Sequence, residues 1–151
     1  MSHVRQQIRE AFGTACTSLS TTGSNVFQSR VYPMESSGVP GLCIYTMTES
    51  VSDDVQEIGG AARLISRSLT VRVEGYAQET SNLDDKLDTI SAEVETAVAD
   101  SSDIDALITD LILSSTEIAY TGEADQLIGV VTLEFSVIYT TEFNDPETAQ
   151  G

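Results

Sequence analysis

Carboxylates are the abundant reactive side chains here: 24 Asp and Glu stand against 7 Lys and Arg and a single histidine. Nucleophilic and acid/base catalysis need a base within hydrogen-bond reach of the group it activates. With His3 placed in an N-terminal tail, none of the many serines has an imidazole to activate it. Gly59 and Gly60 precede a strand pattern instead of linking a strand to a helix, so they do not make a phosphate cradle. Cys16 and Cys43 are far apart and lack any paired-cysteine spacing. They read as buried thiols of a reducing compartment, not as a disulfide or a zinc site.

Asp84 and Asp88 share a helix face, while Asp100, Asp103 and Asp105 crowd one loop. Oxygen ligands in such numbers suit Mg²⁺ or Ca²⁺. Asp103-Ile104-Asp105, however, lacks the glycine turn and distal glutamate of a calcium loop, so a solvated acidic surface is the better reading. A carboxylate pair for glycoside hydrolysis would want an aromatic sugar groove, and the chain has no Trp. The expectation is a protein that is not an enzyme, with no catalytic, metal or cofactor residues.

Interaction is the remaining chemistry. In the acidic stretch 49–60, Val51, Val55 and Ile58 alternate with Asp53, Asp54 and Glu57. These apolar residues either fold back as local cover or bury against another subunit. Arg63, Arg67 and Arg72 supply most of the positive charge outside the first helix pattern, and each needs an acidic neighbour in its own chain or the next. Together these residues form the candidate subunit or tube interface. Arg5 and Arg9, four apart on a helix flank, read as solvated surface.

The formal net charge is -17, and it is unevenly spread: residues 1–86 hold all 7 basic side chains with 10 acidic ones, and residues 87–151 hold 14 acidic ones and no basic one. Sequence-independent nucleic-acid binding needs clustered Lys or Arg and is excluded. Such asymmetry lets the less acidic half of one molecule meet the acidic half of another; solubility alone is the plainer reading of it. No apolar run approaches the roughly 18 to 20 residues of a membrane span, and MSHVRQQIRE carries no signal-peptide core, so a cytoplasmic protein without a membrane partner is expected.

The elements that must position these residues follow from periodicity. Val4, Ile8, Phe12, Ala15 and Leu19 predict a helix running to near Gly23. Residues 25–32 read as a short strand, 33–40 as a loop, and Leu42, Cys43, Ile44 and Tyr45 as the start of a central strand that ends in the 49–60 loop. Residues 63–76 alternate Leu69, Val71 and Val73 against Thr70, Arg72 and Glu74, closing a hairpin. Ser81 is the expected cap of a second helix with the stripe Leu83, Leu87, Ile90, Val94 and Ala97 or Val98. Residues 103–110 suit a helical turn, and 112–120 and 127–140 a second hairpin whose last strand turns Val131, Leu133, Phe135, Val137 and Tyr139 inward. The expected fold is α+β: one domain over residues 1–141, a two-layer sandwich with a mixed sheet of about five strands and two long helices on one face. Residues 142–151 read as a polar, loose tail.

In this order, the strand entry VPGLCIYTMTE, the strand SLTVRVEGYA, the helix NLDDKLDTISAEVETAV, the segment DIDALI and the strand VTLEFSVIYTTEF resemble the tail terminators of long-tailed phages, the minor tail protein U family, over residues 4–143. The resemblance implies a structural virion protein at the neck. Such a protein acts as a hexameric ring that caps the tail tube, stops its polymerisation and meets head-completion or connector proteins, with DNA passing through unbound. It carries no catalytic motif to transfer. Another neck protein, or an acidic mimic of DNA that inhibits a nuclease, shares the size and acidity.

Overall fold

A computed structural model describes residues 2–28, 40–52, 63–79, 81–121 and 127–150. Within these, the chain runs α1 (Val4–Ala15), β1 (Val26–Gln28), β2 (Gly41–Ser52), β3 (Leu64–Gln78), α2 (Leu83–Ala99), α3 (Ser102–Asp105), β4 (Asp110–Thr121), β5 (Ile128–Glu142) and β6 (Asp145–Gln150). One mixed sheet holds the strands in the order β1-β2-β3-β5-β4, with β6 on β5. β3 and β5 are its axis, antiparallel in unbroken register from Leu64↔Glu142 to Gln78↔Ile128.

The two-residue period of β3 and β5 decides the core. Leu69, Val71, Val73, Val131, Leu133, Phe135, Val137 and Tyr139 are buried on one face, while the intervening residues are half exposed on the other. α2 lays Leu83, Leu87, Ile90, Val94 and Val98 onto that face above β3 and β5. It sits low because Gly75 and Gly129 give it room: a Cβ on Gly75 would stand 2.7 Å from Ile90 Cγ2, and one on Gly129 2.7 Å from Leu87 Cδ1. α1 packs Val4, Ile8 and Phe12 toward β1 and β2 and also meets α3 and β6. The ring of Phe12 meets that of Phe135 edge-on, with centroids 5.6 Å apart.

The class is α+β, as expected, but the sheet has six strands, and only α2 lies across its central pair. Three boundaries also differ from the sequence reading. The first helix ends at Ala15, not near Gly23. There Thr17 Oγ1 donates to the Gly13 carbonyl at 2.6 Å, and Ser18 turns to φ 73° with its backbone N–H going to the Gly23 carbonyl at 2.9 Å, so the chain has left the helix before Leu19. Residues 49–52, read as loop, continue β2 in register with β3 to Ser52↔Ser66. The helix cap is Asn82 in the left-handed region, which asparagine tolerates, and not Ser81.

The largest correction concerns the tail. Residues 145–150 form β6, with Thr140↔Gln150 and Thr141↔Ala149 paired and Gln7 Nε2 donating to the Glu147 carbonyl at 2.8 Å. Polar side chains suggested a loose end. The backbone nevertheless finds partners on β5, and Ala149 packs against the core.

Candidate assembly surfaces

The expected interface residues separate into three groups. Asp53, Asp54, Val55, Glu57 and Ile58 lie outside the described residues. Val51 and Arg63 lie at one open end of the sheet, where Val51 is 56% exposed and Arg63 is exposed. Phe143, 67% exposed, joins them there, since its backbone N–H donates to the Arg63 carbonyl at 2.6 Å. The sequence reading passed over Phe143 because it fell in the assumed tail.

Arg67 and Arg72 are satisfied inside their own chain. The period of β3 turns Arg67 inward, where Nη1 donates to Glu49 Oε2 at 3.1 Å, Nε donates to Thr141 Oγ1 at 3.2 Å, and the guanidinium lies 5.9 Å from the centre of the Tyr139 ring. Arg5 Nη1 donates to the same Glu49 oxygen at 2.9 Å, and the Tyr139 hydroxyl donates to Glu49 Oε1. Burial, followed by that bond, raises the Tyr139 pKa. Arg72, on the opposite face, holds Glu134 Oε2 through Nε at 2.9 Å and Nη2 at 2.7 Å. Both arginines therefore find their carboxylate in their own chain, one of the two placements the sequence left open.

Glu49 is thus the centre of a buried ionic cluster tying α1, β2, β3 and β5 together, and nothing in the sequence marked it. His3 borders this cluster, its Nδ1 accepting from the Arg5 backbone N–H at 3.0 Å as the cap of α1. Burial and the nearby Arg5 and Arg67 lower its pKa.

The second surface is β4. It is the last strand of the order, and no described strand pairs with its outer side. Its sequence, DLILSSTEIAYT, contains no Lys, Arg or Pro, and Ile112 (53%), Leu113, Ile118 (46%) and Tyr120 are exposed. An edge of this length normally carries lysine, proline or a cover. Among the described residues, its protection is one irregularity between Leu113 and Ser115 and the charges of Asp110 and Glu117. Register places Leu113, Ile118 and Tyr120 on the helix-bearing face, opposite Phe135, Val131 and Gly129. The Tyr120 hydroxyl donates to Asp84 on α2, a bond that raises its pKa.

Among the described residues no group of three or more His, Cys, Asp or Glu side chains converges. Asp84 instead accepts from Tyr120, and Cys16 and Cys43 are buried and not joined in a disulfide, with burial pushing the Cys16 thiol up to about 12. A depression of about 280 Å³ at the foot of α2 is lined by Val98, Ser101, Ile104, Asp105, Thr109 and Asp110, and the Ser101 hydroxyl there caps α3, accepting from the Ile104 N–H at 3.1 Å.

No family model matches the chain, and no curated protein matches it. Among solved structures it is similar to a chain described as "Virion of native gene transfer agent (GTA) particle", at 16% identity over 90% of each chain with a TM-score of 0.37. A likeness of that degree bears no weight below.

Proposed function

We propose that this chain is a non-catalytic structural protein of a phage-like virion whose copies join into a ring, capping the tail tube and ending its polymerisation. The observation that carries the reading is the edge of β4, twelve residues long, unpaired on its outer side among the described residues and with exposed apolar side chains on both of its faces. A sheet left open in this way is completed by another chain. The kind of assembly comes from the sequence pattern shared with the tail terminators, which implies a hexamer at the neck, a tube protein on one side and a head-completion or connector protein on the other. A net charge of -17 keeps the phosphates of passing DNA from adhering. No cofactor, metal or membrane enters this role.

The test is polymerisation of the cognate tube protein with and without this chain. Tubes that stop growing and carry the protein at one end are expected. Unlimited growth with the protein absent from the ends would remove the reading.

A further inference from the structure

We propose that His3 is an acid-operated clasp: protonation of its ring releases the N-terminal turn and, with it, the hold of α1 on β6. His3 is the single histidine of the chain, and histidine is the side chain whose ordinary pKa lies near neutrality. The inference stands apart from the capping role.

The surroundings of the ring carry it. Nδ1 accepts from the Arg5 backbone N–H at 3.0 Å, and Nε2 lies 3.5 Å from Nη1 of Arg67. Both ring nitrogens therefore face N–H donors. A neutral imidazole keeps one acceptor, here Nδ1, whereas an imidazolium has two donors and no acceptor. Protonation sets a donor against one of the N–H groups that the first turn of α1 leaves without an intrahelical partner, and it sets a positive charge beside two guanidiniums. The charged groups facing the half-buried ring are Arg5 on α1, Arg67 on β3, Glu49 on β2 and Glu147 on β6. The carboxylates favour a charged ring, but Glu49 is held by Arg5, Arg67 and the Tyr139 hydroxyl of β5. Burial and the arginines prevail and lower the His3 pKa. The clasp is closed near neutrality and opens as pH falls through the lowered folded value.

Two links tie the ring to β6. The His3 carbonyl accepts from the Gln6 and Gln7 N–H groups at 2.9 and 3.1 Å, which fixes the first turn of α1. Gln7 Nε2 then donates to the Ser2 carbonyl at 2.6 Å and to the Glu147 carbonyl of β6 at 2.8 Å. β6 itself meets β5 in three residue pairs with one irregularity among them, and short peripheral pairing of this kind opens at low cost. Because β3 fills the other side of β5, β6 lies on the β4 side and continues the line of β4 past Ile138. Opening the clasp uncovers Thr140 to Glu142 along that line and lengthens the edge that β4 begins.

The experiment is amide hydrogen exchange by NMR on the full chain, corrected for intrinsic rates, with the His3 ring titrated in the same samples. Protection of the Gln6 and Gln7 amides and of β6 should fall roughly threefold to tenfold between about pH 7 and about pH 5, in step with the ring, while the central β3–β5 pairing keeps its protection. His3→Asn retains an acceptor at the cap and takes no proton, so it should abolish that fall. An equal fall in His3→Asn, a fall confined to α1, unchanged protection, or a loss shared by the central strands would overturn the proposal. So would a ring that titrates at or above the ordinary 6.5.

Discussion

Glu49 holds two arginines and a tyrosine hydroxyl, yet its side chain is only 10% exposed, as is that of Arg67. Removing one member of such a pair strands the other charge in a dry site, so Glu49→Ala should cost about 3–5 kcal/mol, read as a lowered urea midpoint. Replacing both residues by methionine should recover most of that loss, because neither charge is then left alone. Arg67→Glu should unfold the chain, since it sets a carboxylate beside Glu49; far-UV circular dichroism decides this. His3 adds a pH dependence of definite sign. Its folded pKa lies below the ordinary 6.5, so the unfolded chain binds the proton first as pH falls. Stability contributed by the neutral ring is therefore present above about pH 6.5 and is lost as pH falls through the lowered folded value. His3→Gln should flatten that part of the stability-versus-pH curve relative to wild type.

At the level of elements, the seat of α2 depends on two glycines of different tolerance. A methyl on Gly75 meets the stiff, branched Ile90 and Val131, at 2.7 and 3.1 Å, whereas one on Gly129 meets the ends of Leu87 and Leu83, which can turn aside. Gly75→Ala should therefore destabilise by about 1–3 kcal/mol, and Gly129→Ala by less, in denaturant titrations. The helical stripe Leu83, Leu87, Ile90, Val94 and Val98 and the alternation along β3 and β5 were legible in the sequence because each side chain there faces either core or solvent at a fixed period. The overlong first helix was not, since Leu19 keeps the period and still touches the core after the backbone has turned at Ser18. β6 was missed because its pairing is made by the backbones of Asp145, Ala149 and Gln150, with Pro146, Glu147 and Thr148 skipped between them, a pattern no side-chain period reveals. The edge character of β4 depends on strand order, which no local pattern encodes. Val51 and Arg63 are exposed, whereas Arg67 turns inward, which follows from the parity of β3, and pairs with Glu49, which no local pattern reveals.

For the whole molecule, a net charge of -17 opposes any meeting of two copies. Raising ionic strength shortens the Debye length from about 30 Å at 0.01 M to about 8 Å at 0.15 M, so self-association should strengthen over that range, and sedimentation velocity at fixed protein concentration measures it. A stronger association at the lower salt would mean that pairing of opposite charges, and not screening of the overall charge, governs assembly. Past that barrier, β4 at the end of the strand order offers its backbone and Ile118 to a neighbouring subunit. The most direct measurement is electron cryo-microscopy of the purified chain, concentrated at 0.15 M salt, at a resolution that traces strands across subunit boundaries. Closed rings in which β4 of each subunit lies at a boundary with the next are the expected result. Two-fold dimers joined β4 to β4, or particles that remain single at every concentration, would contradict it.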